Sequence, residues 1–313
     1  MNRKIERIIS DFSGEPVTVI KKLSGGISFS TYKVLTESGK AYVFRYGEDY
    51  VNSGGRHIDI AQTFRREKFF FDTVSDRLQI KVPHIYLIDD SRTRFDYVYE
   101  IYDFITGHSL EELGNDAADA VYFQVGKAVA QINMTELSNS CHTEDWGTFF
   151  SLRLMERLIP LVKDGLFSED EINVICPFFK KLDYPAANAF LHLDIRKGNI
   201  LYDKHTGTIG LIDAENAEFG DPLFEIARID VYSEMKDAFY AGYLEEMNLE
   251  RIDRSSIRYH GYELESLAFL TNVFIYEIDA DNETVESMIS RTLRLKNKLL
   301  SMIQATSSTK ETA

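Results

Sequence analysis

Short runs rich in β-branched and aromatic residues, separated by turn chemistry, fill the first third of the chain. Val17 to Leu23, Ser28 to Leu35 and Lys40 to Tyr46 read as strands, divided by Ser24-Gly25-Gly26 and by Glu37-Ser38-Gly39. Glycine and serine supply the backbone angles that tight turns require. From Ile58 to Leu78 the spacing becomes helical, with Ile60, Phe64, Phe71 and Val74 apolar and Arg65, Arg66, Glu67 and Lys68 on a charged face. Strands at Val82 to Ile88 and Tyr97 to Phe104 follow, joined by the polar turn Asp89-Asp90-Ser91-Arg92. Together these elements predict a small antiparallel sheet carrying one long helix.

After Thr106-Gly107 the pattern changes to long helices, at Asp116 to Leu137, Phe149 to Val162 and Ser168 to Lys181. Ser168-Glu169-Asp170-Glu171 is a capping box, because serine and the glutamate three positions on can satisfy each other's backbone donors. A strand-rich segment from Phe190 to Asp213 interrupts the helices; within it Ile200 to Tyr202 and Thr208 to Ile212 form a hairpin closed by Lys204-His205-Thr206-Gly207. Helices resume near Pro222 and run to about Ile303, ahead of a polar, frayed tail. The expected class is α+β: an N-terminal lobe over 1–104, a mostly helical lobe over 105–304 and a flexible tail over 305–313, with Gly107 permitting a hinge conformation.

Composition narrows the class of function. A chain of 313 residues has room for roughly two such lobes. Its 35 Lys and Arg against 50 Asp and Glu give a net charge of −15, which argues against a general nucleic-acid binder or an anionic-membrane binder. Cys141 and Cys176 are the only cysteines, so no disulfide framework is expected and a reducing cytoplasm fits best. The basic start at Arg3, Lys4 and Arg7 leads into no apolar signal region. The most apolar stretch, Leu264 to Tyr276, is interrupted by Glu265, Ser266, Thr271 and Asn272 and falls short of the roughly 20 residues a membrane span needs.

Candidate chemistry concentrates in His192-Leu193-Asp194-Ile195-Arg196-Lys197-Gly198-Asn199, with Asp213 fourteen residues beyond. Phosphoryl transfer is mainly a problem of positioning and charge neutralisation: a carboxylate near the acceptor hydroxyl, oxygen ligands for Mg²⁺, and cations against the phosphates. Asp194 could supply the first, Asn199 and Asp213 the second, and Arg196 could lie against the γ-phosphate. The hairpin between Asn199 and Asp213 returns the chain, so both can face one hard cation. His192 reads as a structural hydrogen-bonding residue.

This H-x-D-x-x-x-x-N pattern followed by Ile212-Asp213 resembles the catalytic loop and metal-binding aspartate of eukaryotic-like kinases. With Gly210-Leu211-Ile212-Asp213-Ala214-Glu215 and Gly220-Asp221-Pro222-Leu223-Phe224-Glu225-Ile226-Ala227-Arg228, it more closely resembles the aminoglycoside phosphotransferase and choline kinase superfamily. The order of elements agrees from about Val17 to Leu300. The resemblance implies a protein-kinase-like two-lobed fold, a Mg²⁺-dependent transfer from ATP or GTP to a small hydroxyl-bearing acceptor, catalytic roles for Asp194 and Arg196, and Mg²⁺ held by Asn199 and Asp213. A monomer or dimer is expected.

The N-terminal lobe supplies the nucleotide elements less directly. Gly25, Gly26 and Ser28 lie between two strands, where they read either as a plain hairpin turn or as backbone amides presented to phosphates. The chain has no Walker A sequence. Arg45 stands where kinases place a phosphate-contacting lysine, and its fork suits phosphate. Glu67 could orient Arg45 from the helix or simply sit on a solvated face. Tyr97 to Gly107 resembles the hinge strand, which nominates Glu100 and Tyr102, although side-chain identity does not select which backbone of 100–104 meets a purine.

Between Asp213 and Glu286 lie 19 acidic and 5 basic residues, nearly the whole charge of the chain. A cleft of one sign concentrates ligands of the other, so Glu225, Asp230, Glu234, Glu277, Asp279 and Asp281 are candidate contacts for a cationic amino sugar or aminoglycoside. Solvated acidic helices are the plainer reading. Tyr259, Tyr262, Phe269, Phe274 and Tyr276 could form an aromatic cage for a quaternary ammonium or serve as core. Choline, fructosamine or another sugar are alternative acceptors, and a nucleotide-binding regulatory module without catalysis is the rival of a different class.

Overall fold

The computed structural model of the chain describes residues 1–23, 29–135, 145–185 and 187–311. Helix α1 (Asn2–Ser13) precedes the strands, burying Ile5, Ile8 and Ile9. Strands β1 (Val17–Lys22), β2 (Ser30–Thr36) and β3 (Ala41–Gly47) follow, then a small hairpin of β4 (Tyr50–Ser53) and β5 (Arg56–Asp59). Helix α2 (Ile60–Val74), capped by Asp59, leads to β6 (Ile85–Asp89) and β7 (Val98–Asp103). The main sheet is antiparallel with spatial order β1-β2-β3-β7-β6.

Alternation along β3 and β7 gives this sheet two distinct faces. Tyr42, Phe44, Tyr99 and Ile101 pack with the α1 isoleucines, whereas Val98 joins Ile60 and Phe64 of α2. Arg45 and Glu100, direct register partners, share the α2 face.

The remainder is mostly helical. Strand β8 (His108–Ser109) and the short α3 (Leu110–Leu113) precede α4 (Asp119–Asn133), α5 (Trp146–Val162) and α6 (Glu169–Lys180), the last with the Ser168–Glu171 capping box formed. Strands β9 (Ala189–Leu191), β10 (Ile200–Asp203), β11 (Thr208–Leu211) and β12 (Glu218–Gly220) come next; β10 pairs with β11 and β8, and β9 with β12. Helices α7 (Pro222–Tyr232), α8 (Asp237–Met247), α9 (Ile257–Tyr276) and α10 (Asn282–Glu311) close the chain. No helix among the described residues is long and apolar enough to cross a membrane.

Beyond shifts of a few residues at element ends, such as β6 over Ile85–Asp89 and α5 from Trp146, three features differ from the sequence expectation. Helix α1 occupies a stretch read only for its charge. The β4–β5 hairpin precedes a helix that begins at Ile60, not Ile58. Helix α10 continues to Glu311 instead of ending near Ile303, since no Gly or Pro interrupts 282–311.

Candidate active site

Arg45 is the electrostatic centre of the sheet side. Its Nε donates to Glu100 at 2.5 Å, one terminal nitrogen donates to Asp213 at 3.1 Å, and the other pairs with Glu67. Arg45 and Glu67 are buried and Glu100 fully so. Burial works against the guanidinium charge, but Glu100, Glu67 and Asp213 outweigh it and raise its pKa well above the usual value. Conversely, burial pushes the Glu100 carboxyl up despite Arg45. Three carboxylates around one guanidinium use three of its five N–H groups, which leaves two donors.

Glu67 reaches further: its Oε1 accepts the Ala214 amide at 3.1 Å. One glutamate of α2 therefore joins Arg45 to the segment that follows β11. Glu100 and Tyr102 belong to a strand paired on both edges, Glu100 with Arg45 and Ile88, Tyr102 with Val43 and Ile85. Their backbones are thus engaged within the sheet. Neither has a free backbone edge for a purine, and the Glu100 side chain is committed to Arg45. Gly25, Gly26 and Ser28 lie outside the described residues.

The second group is built on the loop between β9 and β10. Glu225 of α7, completely buried, accepts the backbone amides of His192 (2.5 Å) and Leu193 (2.9 Å). This bracing holds Leu193 at φ +57°, a strained left-handed conformation. His192 accepts the Asp194 amide on Nδ1 at 3.3 Å and packs edge-on to Phe70; burial lowers its pKa to about 4, so it is neutral. Asp194 is almost enclosed by donors. Asn199 Nδ2 reaches its Oδ2 at 2.6 Å and its carbonyl at 3.0 Å, Arg196 Nε lies 3.3 Å from Oδ2, and the Tyr232 hydroxyl donates to Oδ1 at 2.7 Å. Burial lowers the Arg196 pKa less than Asp194 and Asp213 raise it, so it too is held above its usual value.

Asp213 joins the two groups. The Ile212 amide donates to the Asn199 carbonyl at 3.0 Å, which sets Asp213 beside the Asp194–Asn199 loop while Arg45 takes its Oδ1. Asp213 itself sits at φ +66°, the kind of strain that functional sites retain. Burial, and then Glu67 and Asp194, raise its pKa to about 6 against the pull of Arg45. Burial and Asp213 push the neighbouring Glu215 carboxyl well above its normal range.

This donor set fits Mg²⁺. The Asn199 amide nitrogen is spent on Asp194, which leaves its side-chain carbonyl oxygen as the donor atom for a cation, and the crowded carboxylates carry more negative charge than Arg45 and Arg196 offset. Hard oxygen donors with surplus negative charge suit a small divalent ion, which takes only one or two protein carboxylates. No cluster of three His, Cys, Asp or Glu side chains arranged for a metal occurs among the described residues.

Most of the acidic residues nominated for an acceptor are otherwise engaged. Glu225 is buried in the loop brace just described. Asp230 is saturated by Arg254, Tyr240 and Tyr259. Glu277 accepts the Gly54 amide of the β4–β5 turn. Asp281 caps the start of α10 through the Thr284 amide. Glu234 is half-buried and accepts the Lys197 amide at 2.7 Å, which leaves it beside the loop, and Asp279 is exposed. Three of the five aromatics weighed for a cage are engaged in packing. Tyr259 and Tyr262 are core, and Phe269 is held between Arg157 and Arg228. Sequence reasoning missed Tyr232, Glu215 and the bracing role of Glu225; Arg45–Glu100 was detectable as a cross-strand pair once register was known.

A family model described as "Phosphotransferase enzyme family" matches residues 19–259. Among solved structures, aminoglycoside phosphotransferase APH(4)-Ia is similar at a TM-score of 0.68 and 16% identity, over 95% of this chain and 99% of that one. A thermostable mutant of that enzyme, in ternary complex with ADP and hygromycin B, gives 0.66 and 17% over 94% and 98%. A putative fructosamine-3-kinase from Thermobifida fusca YX-ER1 gives 0.68 and 14% over 95% and 98%. These likenesses establish the protein-kinase-like fold. Comparison with the curated proteins returns no match.

Proposed function

The chain belongs to the phosphotransferase enzyme family, and from that premise we propose that it moves the γ-phosphoryl group of ATP or GTP to a hydroxyl of a small molecule. One observation carries the reading: Asp194, Asn199 and Asp213 lie on one hydrogen-bonded loop and hairpin, against the buried Arg45 cluster. Asp194 receives the hydrogen bond of the acceptor hydroxyl, orients its oxygen toward the phosphorus and takes up its proton. Arg196 and the two uncommitted N–H groups of Arg45 hold phosphate oxygens, with Glu67 and Glu100 fixing the fork of Arg45. Asn199 and Asp213 would hold Mg²⁺, which when bound offsets charge on the phosphates. The backbone of the segment that follows β7 would pair with the nucleobase.

The acceptor we favour is a cationic amino sugar or aminoglycoside. Its support is the acidity of 213–286 together with the printed complex of a structural neighbour with hygromycin B. Glu234 and Asp279 are the contacts left to it. A sugar-metabolite acceptor is supported by the likeness to the putative fructosamine-3-kinase.

An acceptor screen that follows nucleoside diphosphate release, run on wild type and Asp194→Asn, tests the reading. Turnover is expected to fall by roughly 10²–10⁴-fold while Mg-nucleotide affinity survives. Equal losses in binding and turnover would remove Asp194 from its role. Nucleotide binding without transfer to any acceptor would favour a regulatory module.

A further inference from the structure

Both oxygens of Asp194 are occupied, and by groups of different kinds. Oδ2 is held from within its own loop by Asn199 and Arg196, contacts that are part of the loop's architecture. Oδ1 is held by the phenol of Tyr232, a residue 38 positions away at the last turn of α7. Tyr232 as a whole is half-buried, and its hydroxyl is turned inward onto Asp194. Its placement is fixed from both sides. Ser233 turns the chain sharply at φ +55°, and Glu234 accepts the Lys197 amide at 2.7 Å, so residues 232–234 are stitched to the loop at two points. Burial and the Asp194 charge push the Tyr232 phenol far above its ordinary pKa, which keeps it a neutral donor.

A hydroxyl about to be phosphorylated needs a carboxylate oxygen that can accept its hydrogen bond, and Oδ1 is the one not committed within the loop. We infer that Tyr232 is a positioning residue that holds the place of the acceptor hydroxyl on Asp194 Oδ1, and so keeps water from being activated there until an acceptor displaces the phenol. The inference rests on the phosphotransferase reading above. The reaction it suppresses is hydrolysis. Water oxygen forms a bond to the γ-phosphorus and the bond to the β,γ-bridging oxygen breaks with its electron pair leaving on the nucleoside diphosphate. The water proton passes to Asp194 and then to solvent. Nothing is oxidised or reduced.

A plain structural tie between α7 and the loop would behave oppositely, since cutting it would loosen Asp194 and lower every rate. The test therefore uses no acceptor. The full chain is given Mg-ATP alone, and ADP release is followed for wild type, Tyr232→Phe, Tyr232→Leu, Asp194→Asn and the Tyr232→Phe/Asp194→Asn double variant. Mg-ATP affinity is measured for each to show that the nucleotide site is intact. Acceptor-independent ADP release is expected to rise roughly tenfold in the Tyr232 variants and to return to the Asp194→Asn level in the double variant. Unchanged or lower release in both Tyr232 variants, with Asp194→Asn still reduced, would overturn the placeholder role and leave the phosphotransferase reading standing. Release in the Tyr232 variants that ignores Asp194→Asn would overturn the placeholder role, and failure of the acceptor screen above would instead overturn the phosphotransferase reading. Phosphate found on Tyr232 itself by mass spectrometry would make it an acceptor and would also end the inference.

Discussion

Glu225 shows how a single side chain fixes the reactive loop. Its two oxygens receive the His192 and Leu193 amides, and glutamine in its place would face one of those amides with an NH₂ group. Glu225→Gln is expected to cost about 1–3 kcal/mol, the penalty of a buried donor left unpaired, measured by urea unfolding, with Mg-nucleotide turnover falling alongside. The titration of its neighbour has a definite sign. His192 is lowered to about 4 from 6.5, so its neutral form stabilises the fold fully above pH 6.5, and that contribution is lost as pH falls toward 4. Unfolding curves between those limits should show stability falling with acid, and His192→Phe should flatten the slope; an unchanged slope would remove His192 as its source. At this scale the sequence was legible where chemistry is local. The five-residue step from Asp194 to Asn199 fixes their contact, whereas Tyr232 meets Asp194 only because α7 returns to the loop, and no local spacing announces that.

Among elements, α5, α7 and α9 are joined by one buried carboxylate. Glu265 of α9 accepts from Arg153 at 2.8 Å and Arg157 at 3.3 Å, both on α5, and from Arg228 of α7 at 3.4 Å. Although burial opposes it, the three guanidinium groups lower the Glu265 pKa to about 2. Its stabilisation is therefore fully present above the unfolded value of 4.5 and is lost as pH falls through about 2. Removing the charge strands three buried cations. Glu265→Gln is expected to cost about 3–5 kcal/mol, read by chemical denaturation at neutral pH; a loss under 1 kcal/mol would show that the arginines are satisfied by the Phe269 face and backbone carbonyls alone. Helices with regular apolar spacing and a capping box were legible, as α6 shows. The β4–β5 hairpin was not, because its four-residue strands are too short for periodicity to register, and α1 was read for charge although Ile5, Ile8 and Ile9 carry its helical face.

At the scale of the whole molecule, that hairpin ties the sheet side to the helices. Its tip leaves the sheet and docks on the helices: Arg157 donates to the Ser53 carbonyl at 2.9 Å and the Gly54 carbonyl at 2.5 Å, Glu277 takes the Gly54 amide, and Arg56 pairs with Glu156 at 2.7 Å. Gly54 has φ +55°, and a Cβ there would overlap the Phe269 ring. Gly54→Ala is therefore expected to undock the tip, making 50–59 the first site of limited proteolysis while the two halves stay folded; wild-type resistance would contradict this. The change from a strand-rich N-terminal region to a helical C-terminal part was legible from periodicity; Gly107, at φ +137°, sits against the Tyr202 backbone, where a Cβ would not fit. The docking of the hairpin tip was invisible, since it rests on one turn meeting residues more than a hundred positions away.

A body joined to another at one point swings; joined at several, it is braced. The covalent passage near Gly107, the Arg45–Asp213 and Glu67–Ala214 bonds and the docked tip at Gly54 together brace the sheet against the helices. Separating the sheet from the helices would have to break the Gly54 tip contacts along with the Arg45–Asp213 and Glu67–Ala214 bonds, and a step limited by such a movement of the docked turn through solvent would slow with the viscosity of the medium while the chemical step would not.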